Sequence, residues 1–456
     1  MAGALRAALC GVAMGAAAAP PPRLHMGGDV IYQIVTDRFK DGDPGNNPAP
    51  PRFSADCQHS LLYCGGDWAG LAEVIRSGYF RDLGVTALQI SVPMQNTPIV
   101  QAGHGAAYHG YWLHDMKRPE PAFGRWEDFH ALVRTAHAHG LKLLIDIVIN
   151  QGGPREHGQL LDDGQLLVDA RHDPEGRLHP PGEADYTRDE ELLYRSLYDL
   201  VDLNQHHPRI NRYLREMTQL WLATGIDGLR VDTVKHVSLA WQRSWLQQVY
   251  RHRPVYAAGE WYAGRNDWLP ENFRFANESG MHVLDFPVSQ RVRQVFRYRE
   301  RSLIDLATTM DAAAQAYRRP LDQVLFIDNH DQNRHTLSDA AEHRRLTEQA
   351  LAFILTARGV PSIYYGTEHY QLGAGHAPVN RPMMASWRRD TPAFGLISRL
   401  AALRRQHPAL QFGTQRTRWV TPEVYVFERE FAGSVVRVAL NRDSQQAAEV
   451  PDTATA

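Results

Sequence analysis

Cysteine is scarce, with three thiols in 456 residues. That excludes a disulfide-dense scaffold and any cysteine-rich metal cluster. Charge of one sign is missing as well: 49 basic residues stand against 51 acidic ones, for a net charge of −2. Neither a basic stripe for nucleic acid nor an acidic tail is implied, and no nucleic-acid partner is expected. After the first 25 residues no apolar run approaches membrane-spanning length, so no membrane span is expected. The opening "MAGALRAALCGVAMGAAAAPPPRLHM" has one basic residue ahead of an Ala-rich apolar stretch, then prolines. Residues 1–25 read as a secretory signal cut near the Ala16–Ala19 run, which predicts a secreted or periplasmic protein. Cys10 falls inside that segment. The mature chain keeps Cys57 and Cys64 in "CQHSLLYC", where a small disulfide loop is expected rather than a metal site.

The ten Trp and eighteen Tyr suit sugar stacking and an ordinary core equally, so composition does not choose. The pattern along the chain does. Apolar, β-branched runs recur as "DVIYQIVTDRF", "VTALQISVP", "LKLLIDIVIN", "GIDGLRVD", "PVYAAGEW", "MHVLDF", "QVLFIDNHD" and "GVPSIYYG". Amphipathic stretches such as "FHALVRTAHAHG" and "INRYLREMTQLWLATG" separate most of them. Eight buried strands alternating with helices predict an α/β fold, a parallel (β/α)8 TIM barrel. Polar and reactive residues gather at the C-terminal end of each run, the end that carries active sites in this architecture.

Residues 151–201 are too long for a plain loop, and their Gly, Pro, Asp and His content predicts an excursion domain after strand 3. The barrel would then comprise residues 26–150 and 202–408. From residue 409 short alternating strands take over in "TRWVTPEVYVFEREF" and "SVVRVALNR", predicting a short C-terminal β-domain over 409–456, an incomplete or minimal sandwich.

In "GLRVDTVKH" Arg230 and Asp232 project to the same side of a strand. Taken alone they are as well read as a salt bridge at a strand end. Glu260 in "AAGEW" and Asp331 in "FIDNHD" end two further strands, however. Carboxylates crowded on one barrel face repel and need positive partners, for which Arg230 and His330 are candidates. Two carboxylates across a sugar linkage are what glycoside cleavage requires.

At these residues the sequence resembles the α-amylase family of glycoside hydrolases, and within it the cyclodextrin glucanotransferase and maltogenic amylase branch. The motifs "DIVINQ", "GLRVDTVKH", "GEWY" and "FIDNHD" stand in the family's order, and the similarity runs from "DVIYQIVTDRF" to "VVRVALNR". The resemblance implies that Asp232 is the nucleophile, Glu260 the acid/base and Asp331 the holder of the distorted sugar, with retention of configuration. It implies that Arg230 keeps Asp232 ionised and oriented, and that His330, Tyr108 and Trp112 (in "AYHGYW") contact sugar. One position departs: Gln151 stands where family members usually carry His. A neutral amide is expected to serve the reacting sugar less well, so Gln151→His would raise turnover.

The resemblance also implies one or two structural calcium ions. Asn150, Asp202, His236 and Leu193 match one site, the last two through backbone carbonyls. Asp41, Asp43, Asn46, Asn47, Gly65 and Asp67 match a second, where an Asx/Gly turn is the alternative. On the acceptor side Tyr198 matches the aromatic around which glucanotransferases wrap sugar. Tyr186 and Tyr262 match an aromatic pair beside Lys235, though as bare tyrosines they could simply pack. The loop "LGAGHAPVNRP" lacks the acid that relatives place ahead of Arg381, and no starch-binding module follows the β-strands. The expectation is a monomeric α-amylase-type hydrolase of α-1,4-glucan with transfer capacity. A cyclodextrin or 4-α-glucanotransferase is the alternative, and a weakened glucan-binding protein a further one.

Overall fold

The computed structural model describes residues 24–262 and 270–451, so residues 1–23 of the expected signal lie outside the described residues. The eight apolar runs form eight parallel strands: β1 (Ile31–Ile34), β2 (Ala87–Ile90), β3 (Lys142–Ile147), β4 (Gly228–Val231), β5 (Tyr256–Gly259), β6 (His282–Val283), β7 (Val324–Phe326) and β8 (Val360–Tyr364). Their order is β7-β8-β1-β2-β3-β4-β5-β6, and a parallel bridge from Leu284 to Val324 joins the two edges. This is the barrel.

Period-two alternation divides each strand between two cores. Ile31, Ala87, Leu144, Tyr256, Ala258, Val324, Phe326 and Val360 fill the interior. Their neighbours Tyr32, Leu88, Leu143, Ile145, Ala257 and Leu325 face the surrounding helices. The strands are buried on both sides, which is why they read as continuous apolar runs rather than as alternating ones. Among the described residues no helix is long and apolar enough to cross a membrane.

Between β3 and β4 the chain leaves the barrel. The strand Gln151–Pro154 pairs with Leu200–Asp202, and Gln159–Asp162 pairs with Gln165–Asp169. The helix Asp189–Tyr194 lies on the return. After β8, strands β9 (Thr414–Val420), β10 (Val424–Phe431) and β11 (Ser434–Asn441) form one antiparallel sheet. A sandwich needs a second sheet. Here helices Leu303–Ala316, Ala341–Thr356 and Pro408–Phe412 pack against these strands instead. Cys57 and Cys64 are joined by a disulfide, Cα to Cα 5.8 Å.

Candidate active site

The polar centre of the barrel follows from the same alternation. Two residues beyond Leu144 on the interior face stands Asp146, and two beyond Gly228 stands Arg230. Register places the two side by side on β3 and β4. Asp232 and Glu260 continue their strands, with Asp232 N–H donating to Ile147 O and Glu260 N–H to Val231 O. Strand-end geometry alone therefore brings four charged side chains together.

Arg230 is 1% exposed. Its Nη1 donates to Asp146 Oδ1 at 2.9 Å and to Asp232 Oδ1 at 2.6 Å, and its Nη2 lies 2.6 Å from Glu260 Oε1. One guanidinium thus holds three carboxyl groups. Burial disfavours the charge on Arg230, but Asp146, Glu260 and Asp232 outweigh it and hold the cation firmly. Burial also pushes Glu260 well above the usual carboxylate range. Arg230 opposes this, and the neighbouring Asp232, Asp331 and Asp146 add to the rise. Burial likewise raises Asp146, to about 6, against the pull of Arg230.

Asp331 is different. Its Oδ2 lies 3.0 Å from His330 Nε2, and its Oδ1 accepts from Arg381 Nη2 at 3.0 Å. Burial alone would raise it, yet His330 and Arg381 outweigh burial and hold it well below the usual carboxylate range. The cleft therefore joins a carboxyl group pushed toward its protonated form to one held toward its ionised form. That is the inventory for proton donation beside a developing positive charge.

Tyr108 is not at this centre. Its ring is buried under the Arg38 guanidinium, 3.7 Å from the ring centroid. The tyrosine that reaches the carboxylates is Tyr111. Its hydroxyl donates to Asp146 Oδ2 at 2.7 Å, and its ring stacks on His330 at an 11° interplanar angle. The cause is a tight turn, Gly110 N–H to Ala107 O, with Gly110 at φ +95°, which sends Tyr108 inward and Tyr111 to the cleft. Trp112 lies edge-on to His109, a half-buried histidine of the same loop. Asp146, Tyr111 and Gln33, whose Nε2 lies 2.9 Å from His330 Nδ1, are site residues that the sequence reading missed. The signal was present for Gln33 and Asp146, each being a polar residue at an inward position of an apolar strand.

Gln151 is buried and faces the carboxylates, its Nε2 donating to Asp232 Oδ2 at 3.2 Å. Tyr186, Tyr198 and Tyr262 are all exposed, Tyr198 most of all at 65% and with φ +55°. Tyr186 lies edge-on to His236, and Tyr262 to Phe286. Lys235 and Leu193 line a pocket of about 230 Å³ with Trp261 and Phe275.

Two oxygen clusters flank this centre. One end of the Asn150 side-chain amide stands 3.2 Å from Asp202 Oδ1 and 3.1 Å from the His236 carbonyl; its nitrogen would donate to both, and its oxygen would face them across a shared cation. In the helix that carries Leu193, the Leu192 carbonyl is the one that meets the His236 ring, 3.1 Å from Nδ1. In the second cluster Asp41 Oδ1, Asn46 Oδ1 and Asn47 Oδ1 are buried without a hydrogen-bond partner. A side chain at Gly65, φ +88°, would strike Asn47 Oδ1 and Asp41 Oδ2 within 2.7 Å, so the position requires glycine. Asp67 differs from the others in this cluster. Gly42, Asp43 and Gly70 N–H and Asn46 Nδ2 all donate to it. Four donors fill a carboxylate's acceptor capacity, so Asp67 braces the loop rather than offering a free ligand oxygen. Asp43 caps its own turn, accepting from Gly45 N–H. Among the described residues no three His, Cys, Asp or Glu side chains form a metal-holding group. The free oxygens here come largely from amides and the backbone.

Comparison with known proteins agrees with this geometry. The family profile "Alpha amylase, catalytic domain" matches residues 33–159 and 181–377. A cyclomaltodextrin glucanotransferase of Bacillus sp. (strain 6.6.3) is 45% identical over 438 residues, covering 94% of this chain and 61% of the relative. The chain thus spans less than two thirds of that relative's length. An alpha-amylase of Niallia circulans is 45% identical over 427 residues, covering 91% of this chain and 80% of the relative. Among solved structures CldA, described as the first cyclomaltodextrin glucanotransferase with a three-domain ABC distribution, superposes with a TM-score of 0.86. It is 37% identical, with 92% of this chain and 88% of that one covered. The barrel, its strand-end carboxylates and these matches together make the chain a member of the alpha-amylase family.

Proposed function

We propose that the protein cleaves α-1,4-glucosidic bonds with retention of configuration and passes the glucosyl chain to water or to a second sugar. The observation that carries this reading is Arg230 held against both Asp232 and Glu260, with burial raising the Glu260 carboxyl toward its protonated form. In the first step Asp232 attacks the anomeric carbon. The bond to the glycosidic oxygen breaks, and the Glu260 proton goes to that oxygen. Asp331, ionised between His330 and Arg381, holds the sugar hydroxyls and the developing positive charge. In the second step water or a sugar hydroxyl attacks the same carbon, its proton goes to Glu260 and Asp232 leaves. Retention would require the two carboxyl groups to lie about 5–5.5 Å apart.

A second reading, a glucanotransferase, is favoured by Tyr198. A large ring 65% exposed beside the site costs hydrophobic free energy in the free protein, and a wrapped glucan chain would cover it. CldA, described as a cyclomaltodextrin glucanotransferase with a three-domain ABC distribution, also supports this reading. A chromatogram of products from maltoheptaose decides between them. Linear shorter maltodextrins alone indicate hydrolysis, whereas cyclic or longer products indicate transfer. No turnover of maltoheptaose would overturn both, leaving a glucan-binding protein.

The oxygen clusters fit calcium, a hard cation that takes oxygen ligands from separate segments. Asn150, Asp202 and the His236 carbonyl would hold one ion. Asp41, Asn46 and Asn47, closing over Gly65, would hold another. Neither ion would take part in the chemical step, and the one at Asn150 would tie the excursion to the barrel. A ligand that binds only the folded state stabilises it. Chelation should therefore lower the melting temperature, with calcium rather than magnesium restoring it. An unchanged melting curve after exhaustive chelation, with metal loss verified by elemental analysis, would remove both sites from the proposal. Secretion into an oxidising compartment is proposed with it, supported by the Cys57–Cys64 bridge.

A further inference from the structure

Gln151 opens the short strand Gln151–Pro154 and is 2% exposed. Beside its bond to Asp232, its Oε1 accepts from Thr233 Oγ1 at 3.2 Å. Thr233 sits at φ +47° in the loop after β4, and its N–H donates to Glu260 Oε2 at 3.3 Å. On the other side one end of the Asn150 amide lies 3.2 Å from the same Oε1, and its other end faces Asp202 and the His236 carbonyl.

These contacts have a direction. An ionised carboxylate only accepts, so Asp232 draws the nitrogen end of the Gln151 amide. The oxygen end then faces Thr233 and Asn150, and an oxygen there favours the nitrogen end of Asn150. Asn150 is left presenting its own oxygen to Asp202 and His236. Two amides in series carry one orientation from the carboxylate to the oxygen cluster. We infer that Gln151 is a positioning residue that couples Asp232 to the oxygen cluster at Asn150, through one donor and one acceptor rather than through charge. The inference rests on the proposed roles of Asp232 and of the cluster. It stands against the sequence-based expectation that Gln151 is a handicap, and the histidine variant below separates the two. A neutral imidazole likewise offers one donor and one acceptor, so histidine and glutamine can do the same work here.

Three variants of the full chain test this: Gln151→Leu, Gln151→Glu and Gln151→His. The readouts are kcat and KM on maltoheptaose, and melting temperature with calcium and after chelation. Gln151→Leu should lower kcat about ten- to hundredfold with little change in KM, the effect of losing a hydrogen bond to a charged group. It should also shrink the calcium-induced rise in melting temperature. Gln151→Glu keeps an acceptor toward Asn150 but sets an acceptor against Asp232. Its kcat should fall as far, while its calcium response survives. Gln151→His should retain both properties. The inference is overturned if Gln151→Leu keeps wild-type kcat, or if its calcium response equals that of wild type. It is equally overturned if all three variants lose stability alike with and without calcium. Wild-type protein inactive on maltoheptaose would instead sink the functional reading, and the calcium arm would still report on the link to Asn150.

Discussion

Glu260→Gln is expected to lower turnover on maltoheptaose by several orders of magnitude while the protein stays folded. The amide has the shape of the acid but no proton to give the leaving oxygen, and general acid catalysis alone contributes roughly 10²–10⁴-fold. Its loss acts on both steps, because the same group must take a proton from the incoming water or sugar. Asp232→Asn should be as severe, since no covalent intermediate can form. The pH dependence carries a sign that can be checked. Glu260 must be protonated to act, and its burial among Asp232, Asp331 and Asp146 raises its pKa. The alkaline limb of wild-type kcat/KM should therefore lie well above the ordinary carboxylate range. Near-wild-type turnover in Glu260→Gln, with its melting curve intact, would refute the assignment, as would an alkaline limb near pH 4–5.

Arg230→Met should unfold more readily than wild type by about 3–5 kcal/mol, the cost of removing one partner from a buried ion pair. Arg230 serves three carboxyl groups at once, and its removal leaves Asp146, Asp232 and Glu260 in a buried site without their shared cation. Protonation can relieve that repulsion, which gives the defect a pH dependence. A carboxyl raised in the folded state binds protons more tightly there than in the unfolded chain. Folded stability is then greatest at low pH and falls as pH rises through the folded pKa. Asp146 already lies at about 6 with Arg230 present, and Glu260 is raised as well. Removing the cation raises both further. The deficit of Arg230→Met should therefore be full above the variant's raised folded pKa values, shrink as pH falls through them, and level off once pH drops below the wild-type Asp146 value of about 6. Denaturant midpoints across that range are the measurement. A deficit independent of pH, or no deficit, would mean that Arg230 is not the charge that holds these acids.

The barrel was legible in the sequence because its strands are buried on both faces. Each apolar run matched one strand, including the two-residue β6, and the strand-end acids marked the catalytic end. The C-terminal region was less legible. Alternating strands reveal that one face is covered but not by what; here helices cover the single sheet.

Within the site the division follows distance along the chain. Arg230 and Asp232 share a face by strand alternation, a local rule that any reader of "GLRVD" can apply. The same rule applied to "LKLLIDI" would have placed Asp146 inward too. Tyr108 and Tyr111 could not be sorted that way, because a turn at Gly110 separates them, one packed so closely on distant Val92 that a Cβ at Gly110 would lie 2.8 Å from its side chain. For Gln151 and Asp67 the residue type permits several roles, and only the neighbours that folding supplies choose among them. Asp67 has its acceptor sites filled by donors from residues 42, 43, 46 and 70. Gln151 is oriented by an aspartate 81 residues away. The sequence by itself determined which face of each strand is buried and which acids end the strands, because alternation acts over two residues. The tertiary structure decided which polar group each side chain meets, because hydrogen bonds reach only about 3 Å and their partners come from distant parts of the chain.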